Sequence, residues 1–378
     1  MKRILIVEDD AAIRKGLAAA LQEEQYEVLT ARDGEEGYET ARREKPDAII
    51  LDLMLPKKNG QDVCRDLRKE GDNVPILMLT AHSRASDIAG GLELGADDYL
   101  TKPFDVRVFL AKIKVLLKHK VELQKAADRA ERLSGDMEEA RRIQESLFPK
   151  KLPATSGWEF AGLCRPARSV GGDYYDIFEV APGKVLFALG DVSGKGLGPS
   201  LLMSSVHTAI RTRAASAWGE PLKLITELNR HLLASTPPET FVTLFLGVLD
   251  LSSGRLLYVN CAHPPPILMR SESWEPARLT EGGLILGILE GHEYRQGDYR
   301  INPGDVLVLF SDGVTEAANR QDEMFEEKGL LSLLDKVRGL EAGAVLERTL
   351  AAVDGFAAQA EQADDISLVV IRRKGPGL

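Results

Sequence analysis

Acidic side chains in the first part of the chain fall where predicted strands end. Glu8 and Asp9 follow the first apolar run, and Asp52 closes the third. The carboxyl ends of parallel strands meet at one edge of a sheet, so we expect these carboxylates to lie close together. Grouped carboxylates bind a hard cation such as Mg²⁺, and a carboxylate beside that ion can attack a phosphoryl group.

Two more polar residues follow the remaining strand-like runs. Thr80 ends the fourth run, and Lys102 comes just after the fifth. A hydroxyl and an ammonium at the same edge would hold the acyl phosphate that a phosphorylated carboxylate carries. Each side chain alone would fit a solvated loop residue, but their occurrence on separate strands favours a phosphoryl site.

The elements that must position these residues are short apolar strands separated by helical segments. The strand-like runs lie at 3–7, 27–31, 48–52, 76–80 and 97–100. Between the first two, apolar residues recur at helical spacing over 12–24. Strands alternating with helices predict an α/β domain over residues 1–118, with a doubly wound, five-stranded parallel sheet.

Four segments of this domain resemble the receiver domain of bacterial two-component response regulators. They read IVEDD, AIILDLMLP, LMLTAHS and YLTKPFD, and the resemblance covers Met1 to about Lys118. It implies that a histidine kinase is the partner and that Asp52 is the phosphoacceptor.

The receiver resemblance also implies roles for other residues. Mg²⁺ would be held by Glu8, Asp9, Asp52 and the backbone carbonyl of Met54. Thr80 and Lys102 would be the hydroxyl and the lysine of the phosphorylation site. Tyr99 would be a switching aromatic, and a cis peptide bond would precede Pro103.

A charged segment follows, in which 13 of the 30 residues from Val121 to Lys150 are charged. Its apolar or small residues recur at heptad spacing, with Gln144 as the polar member. The series is Leu123, Ala126, Ala130, Leu133, Met137, Ala140 and Leu147. The pattern predicts a helical coiled-coil linker over residues 119–150 and a homodimer. Because several of these positions are alanine, a single solvated surface helix is the alternative.

A second set of aspartates lies in glycine-rich or apolar segments of the later chain. The motifs are GGDYYD with Asp173 and Asp176, LGDVSGKG with Asp191, LFSDGVTEA with Asp312, and QADDISLVV with Asp364 and Asp365. Carboxylates at strand ends, far apart in the sequence, are what a two-metal hydrolytic site requires. Aspartate is also frequent in turns, so each motif alone would fit a turn.

Other chemistries fit this part of the sequence less well. GDVSGKG lacks the spacing of a nucleotide-binding phosphate loop. The six histidines are scattered, so we expect His207 and His263 to be structural rather than metal ligands. From residue 151 onward, strand-like runs occur in clusters with paired helical segments between them. This order predicts an α+β domain over residues 151–378, with two sheets and flanking helices.

In combination, the four aspartate motifs resemble the metal-dependent protein serine/threonine phosphatases of the PPM type. They match the bacterial branch that includes SpoIIE and RsbU, from about Glu139 to Arg372. The resemblance implies a β-sandwich flanked by helices that holds two Mn²⁺ or Mg²⁺ ions. Asp191 would bridge the ions, with Asp173 and the Val192 carbonyl at one ion. Asp312 and Asp364 would hold the other ion, and Asp365 and Asp176 are less certain ligands.

Two residues qualify this resemblance. Eukaryotic relatives carry a histidine, a candidate general acid, at the position of Ser193. The bacterial branch has serine there, as this sequence does. Serine is a poor proton donor at pH 7. Arg168, five residues before Asp173, would either pair with the phosphate of the substrate or be a solvated surface residue.

The two resemblances together indicate a response regulator in which phosphorylation of Asp52 controls a phosphoserine/phosphothreonine protein phosphatase. The family implies a phosphorylated anti-sigma-factor antagonist as the substrate. A catalytically weak adaptor that binds sigma-factor regulators is the alternative. The net charge of −10 and the lack of a marked basic patch argue against nucleic acid as a partner. The short apolar runs predict a cytoplasmic protein without a membrane partner.

Overall fold

The computed structural model describes residues 1–80, 95–217, 220–237, 239–358 and 360–375. Residues 81–83, at the end of the LMLTAHS motif, therefore lie outside the described residues. The chain forms two compact units, Met1–Leu133 and Ser134–Leu378. Within the described ranges, no helix is long and apolar enough to cross a membrane.

The first unit contains the predicted five-stranded parallel sheet, in the order β2-β1-β3-β4-β5. Its strands are β1 (Arg3–Val7), β2 (Glu27–Ala31), β3 (Ala48–Asp52), β4 (Ile76–Thr80) and β5 (Asp98–Thr101). The helices between them are α1 (Ala11–Glu23), α2 (Gly34–Glu44) and α3 (Gly60–Lys69). The fold class predicted for this region is confirmed.

The apolar runs of this unit are continuous because helices cover both faces of the sheet. On β1, Leu5 and Val7 pack into one core cluster while Ile4 and Ile6 pack into another. Residues Val7, Asp52 and Thr80 end three neighbouring parallel strands. Their side chains and those that follow them therefore meet at one edge.

A single helix, α4 (Val106–Leu147), covers most of the predicted linker. It is 42 residues long and continues through Gly135. In the heptad series, Leu123 and Leu133 are 59% and 55% exposed. Gln144 is buried, and Leu147 packs against a core cluster of the second unit. The later heptad positions thus contact their own chain, and pairing of the earlier ones with a second copy stays a prediction.

The second unit is a sandwich of two sheets with helices on its outer faces, as predicted. One sheet has the order β13-β10-β9-β8-β7, with β14 paired to β10, and the other has the order β12-β11-β15-β16-β6. The first contains β7 (Tyr174–Ala181), β8 (Lys184–Val192), β9 (Val242–Asp250), β10 (Arg255–Cys261), β13 (Gly282–Gly283) and β14 (Gly297–Arg300). The second contains β6 (Trp158–Arg165), β11 (Ile267–Met269), β12 (Pro276–Arg278), β15 (Val306–Phe310) and β16 (Ile366–Arg373).

The helices of the second unit complete the layers. They are α5 (Leu197–Ala217), α6 (Pro221–Ser235), α7 (Asp312–Thr315), α8 (Glu326–Leu334) and α9 (Ala342–Ala357). Phe187 and Phe245 from one sheet share a core cluster with Leu309 and Ile371 from the other. This cluster joins the two sheets and holds the ends of their strands in fixed positions.

Candidate functional sites

The first candidate site lies at the carboxyl edge of the parallel sheet. Carboxylate oxygens of Glu8, Asp9 and Asp52 lie within 4.8 Å of one another. Glu8 and Asp52 are buried, whereas Asp9 is exposed. Burial is the largest cause that raises the pKa of Glu8, and the nearby charge of Asp52 raises it too. Buried carboxylates that repel one another are stabilised by a cation, so this cluster fits Mg²⁺.

Lys102 links the two buried acids of this cluster. Its Nζ donates hydrogen bonds to Glu8 Oε2 at 2.7 Å and to Asp52 Oδ2 at 2.8 Å. Burial lowers the pKa of Lys102, but the bonds to the two carboxylates outweigh it and raise the pKa overall. The ammonium therefore stays charged beside the candidate phosphoacceptor.

The structure also places the other residues that the receiver resemblance predicts. Thr80 is buried at the end of β4, and the Met54 amide lies 3.4 Å from Asp52 Oδ1. The Tyr99 hydroxyl is buried and finds no hydrogen-bond partner among the described residues. Burial raises the pKa of Tyr99 to about 12. The Lys102–Pro103 peptide bond is cis, as the resemblance implies.

The second candidate site lies where strand ends of the two sandwich sheets meet. Asp191 is the second-last residue of β8, and Asp173 directly precedes β7 in the same sheet. Asp312 follows β15 and Asp364 precedes β16 in the other sheet. Burial, and then the charges of Asp312 and Asp364, raise the pKa of Asp191 to about 7. These interactions, and the effect of the Asp191 charge on Asp173, indicate that the four aspartates lie near one another.

Asp173 is the most deeply buried of the four. Its side chain is 1% exposed, and Oδ2 has no hydrogen-bond partner within the described part of the chain. Burial first, and then repulsion from Asp191, raise its pKa well above the usual range. Burying a carboxylate oxygen without a partner beside other acids costs free energy unless a cation is bound. Asp173 and its neighbouring aspartates therefore fit a divalent metal ion.

These aspartates are spaced more widely than the receiver acids. Among the described residues, only Glu8, Asp9 and Asp52 bring three ligand atoms within 4.8 Å of one another.

Sequence reasoning overlooked Lys195 in the GDVSGKG motif. Its Nζ lies 2.8 Å from Asp364 Oδ2 and donates to the Ala363 carbonyl at 2.7 Å. The hydrogen bond to Asp364 raises the pKa of Lys195. This ammonium therefore offsets part of the negative charge of the site. In the sequence, its position four residues after Asp191 could have indicated that Lys195 lies near the aspartates.

The Asp365 carboxylate binds the loop before β7. Its oxygens accept hydrogen bonds from the backbone N–H groups of Ala167 and Gly172, each at 2.8 Å, and of Asp173 at 3.3 Å. A Cβ atom on Gly171 would collide with this carboxylate. The GG pair is therefore needed for close packing here.

Gln144 of α4 holds the same loop from the other side. Its Nε2 donates to the Gly171 carbonyl at 2.7 Å, and its Oε1 accepts from the Gly171 N–H at 3.1 Å. The heptad pattern marked Gln144 as an exception but did not indicate this contact. The loop that places Asp173 is thus tied directly to the end of α4.

The uncertain ligand and the two histidines have structural partners. Asp176 is fully buried, and Arg211 donates to both of its oxygens at 2.6 Å. His207 Nε2 lies 3.9 Å from Asp176 and serves no metal cluster among the described residues. His263 Nδ1 lies 2.9 Å from Thr243 Oγ1, and burial lowers its pKa to about 3.

The two residues that qualified the resemblance are also placed. Ser193 Oγ accepts a hydrogen bond from the Phe241 N–H at 3.1 Å, which ties it to the start of β9. The Val192 carbonyl faces Gly172, where a Cβ atom would come within 2.7 Å of it. Arg168 is exposed.

Comparison with known proteins adds the family context. The family of Stage II sporulation protein E (SpoIIE) matches residues 181–374, and the response regulator receiver domain matches residues 4–114. Response regulator MprA of Mycobacterium ulcerans is 35% identical over 241 residues, which cover 62% of this chain and 99% of that protein. Protein IcfG of Synechocystis is 27% identical over 334 residues, which cover 79% of this chain and 51% of that protein.

Among solved structures, the SiaA-PP2C domain of Pseudomonas aeruginosa is similar with a TM-score of 0.58 and 20% identity. The alignment covers 65% of this chain and 98% of that domain. At this level of identity, the likeness concerns the fold alone.

Proposed function

Since the chain belongs to the SpoIIE family and carries a receiver domain ahead of that family's domain, we propose that it is a metal-dependent phosphoserine/phosphothreonine protein phosphatase under response-regulator control. The observation that carries this proposal is the buried, unpartnered Oδ2 of Asp173 beside Asp191. That arrangement is costly for a purely structural site and suits the binding of cations.

The proposed ligands fall into two groups around Asp191. Asp173 and the Val192 carbonyl would hold one ion with it, and Asp312 and Asp364 would hold the other. Bound there, Mn²⁺ or Mg²⁺ would polarise the phosphoryl group and lower the pKa of an attacking water.

Two nearby side chains have defined parts in this proposal. Ser193 would be a poor proton donor to the leaving alkoxide, because serine is a weak acid at pH 7. Its hydroxyl oxygen accepts a hydrogen bond from the Phe241 amide, which holds the side chain in place. Lys195 orients Asp364 through their 2.8 Å ion pair.

The receiver site supplies the control input. Asp52 would accept a phosphoryl group from a histidine kinase, with Mg²⁺ held by Glu8, Asp9, Asp52 and the Met54 carbonyl. Lys102 already contacts Asp52 and would pair with the acyl phosphate, and Thr80 would donate to it.

We propose that helix α4 carries the control signal between the two sites. Phe109 and Ile113 pack it into a core cluster of the receiver sheet, and Gln144 binds Gly171, two residues before Asp173. Because the helix is continuous, a shift or rotation at its start would reach the loop that places Asp173. We infer that the phosphorylation state of Asp52 acts through this helix.

A phosphorylated anti-sigma-factor antagonist is the substrate that SpoIIE family membership supports. The alternative, a catalytically weak adaptor that binds sigma-factor regulators, does not require four converging aspartates. The retention of Asp173, Asp191, Asp312 and Asp364 in one place favours the enzyme.

The test is hydrolysis of a chromogenic phosphomonoester by the full chain with Mn²⁺. We expect turnover that a chelator abolishes and that Asp191→Ala reduces at least about 100-fold, because that carboxylate is proposed to contact both ions. Asp335→Ala, at an exposed aspartate after α8, is the matched control and should be fully active. Equal turnover by Asp191→Ala at saturating Mn²⁺ would refute the assignment.

A further inference from the structure

A cleft of about 550 Å³ opens directly beside the aspartate cluster of the second unit. Asp364 and Lys195 form part of its wall, and so does Gly313, which follows Asp312. A cleft of this size holds more than one side chain. It is therefore continuous with the proposed phosphate site and large enough for a short stretch of substrate.

One part of the cleft lining, here called the floor, is apolar and includes several alanines. Ala317 and Met324 line it after α7, Val353 and Ala357 line it from α9, and Ile366 lines it at the start of β16. The floor can therefore cover the aliphatic part of a bound side chain, and its alanines leave room for one.

The charges in the wall are unbalanced. Both cations are already paired, since Lys195 contacts Asp364 and Arg165 donates to both oxygens of Asp354 at 2.6 and 3.0 Å. Two further acids in the wall, Glu316 and Glu361, form no ion pair with another described residue.

A long cationic side chain satisfies both features of the cleft. The methylenes of lysine or arginine pack on apolar surface while the charged end reaches acidic groups. An acidic side chain would meet like charge, and a purely apolar one would leave the acids unused. Residues of an extended chain are about 3.3–3.6 Å apart, so the cleft is within reach of the positions next to a bound phosphoserine.

We propose that this cleft recognises a lysine or arginine that lies close to the phosphoserine or phosphothreonine of the protein substrate. The inference rests on the proposed phosphatase activity and adds a sequence preference to it. The side chain lies on the floor formed by Ala317, Val353 and Ala357, and its charged group pairs with Glu361.

The experiment uses a neutral phosphoserine peptide in which one lysine is placed in turn at each position from −3 to +3. Peptides with norleucine or glutamate at the same positions complete the set. We measure kcat/KM with the full chain and Mn²⁺, and binding of the same labelled peptides by fluorescence anisotropy. At one or two positions, lysine should be preferred over norleucine about threefold to tenfold, and more salt should weaken the preference.

Two variants on neighbouring surfaces test the location. Glu361→Lys should remove the lysine preference and improve the glutamate peptide relative to the norleucine peptide, because the charge that the cleft presents is reversed. Glu347→Lys makes the same charge change at an exposed position of α9 that does not line the cleft, and it should keep the preference.

The outcomes separate this proposal from the enzyme assignment. If wild type shows no lysine preference in hydrolysis or binding, or if Glu361→Lys keeps it, the cleft proposal is wrong even where the small phosphomonoester is hydrolysed. If the small phosphomonoester is not hydrolysed, the phosphatase assignment fails, and the binding data alone decide whether the cleft selects lysine.

Discussion

Replacing Gln144 with methionine should weaken the second unit and its affinity for divalent cations. The Gln144 side chain is 5% exposed, and both of its polar atoms bond to the Gly171 backbone. Methionine fills a similar volume but replaces neither bond. The Gly171 N–H and carbonyl would then remain buried without this partner.

The expected loss of stability follows from the Gly171 N–H and carbonyl groups. A buried donor or acceptor that loses its partner costs roughly 1–3 kcal/mol, so the pair costs about 2–6 kcal/mol. The added apolar group recovers about 1 kcal/mol of transfer free energy. The free energy of unfolding should therefore fall by about 1–5 kcal/mol. Affinity for Mn²⁺ should fall about 10-fold or more, as is typical when a residue that orients a metal ligand is lost.

The assay is urea unfolding of the full chain with chelator present, combined with calorimetric titration of Mn²⁺. Gln124→Met, at an exposed position earlier in the same helix, makes the same substitution and should change neither quantity. If Gln144→Met unfolds at the same urea concentration as wild type and binds Mn²⁺ equally well, the contact between Gln144 and Gly171 does not position the loop that carries Asp173. The proposal that α4 acts on Asp173 through Gln144 would then be wrong.

Three further results are expected. Wild type should take up phosphate from acetyl phosphate with Mg²⁺, and Asp52→Ala should not; equal labelling would identify another acceptor. Since the pKa of Asp191 is raised to about 7, protons compete with Mn²⁺ below that pH. The affinity measured by calorimetry should then fall up to about tenfold per pH unit below 7 and level off above 8; a constant affinity from pH 6 to 8 would contradict this. Leu133→Glu should weaken a dimer detected by sedimentation and uncouple the phosphatase rate from a beryllofluoride phosphate mimic; a wild-type monomer in both states would exclude that coupling.

The architecture of both units follows from local patterns in the sequence. The five apolar runs of the first unit are separated by enough residues for crossover connections, so the parallel sheet was predictable with its strand ends. The aspartates before β7 and β16, near the end of β8 and after β15 were visible for the same reason, because each interrupts or borders an apolar run. The strand β7 itself was missed, because GGDYYD was interpreted only as a site motif.

The distinction between a candidate metal ligand and a structural acid depended on contacts between residues far apart in the chain. Asp173 and Asp176 share one motif, yet Asp176 is neutralised by Arg211 on α5 while Asp173 keeps an unpartnered oxygen. Asp364 and Asp365 are adjacent, yet only Asp365 is used by backbone amides of the loop before β7. Residue type and spacing are identical within each pair. Burial and long-range partners set the electrostatic cost of each carboxylate, and those exist only once both sheets have packed.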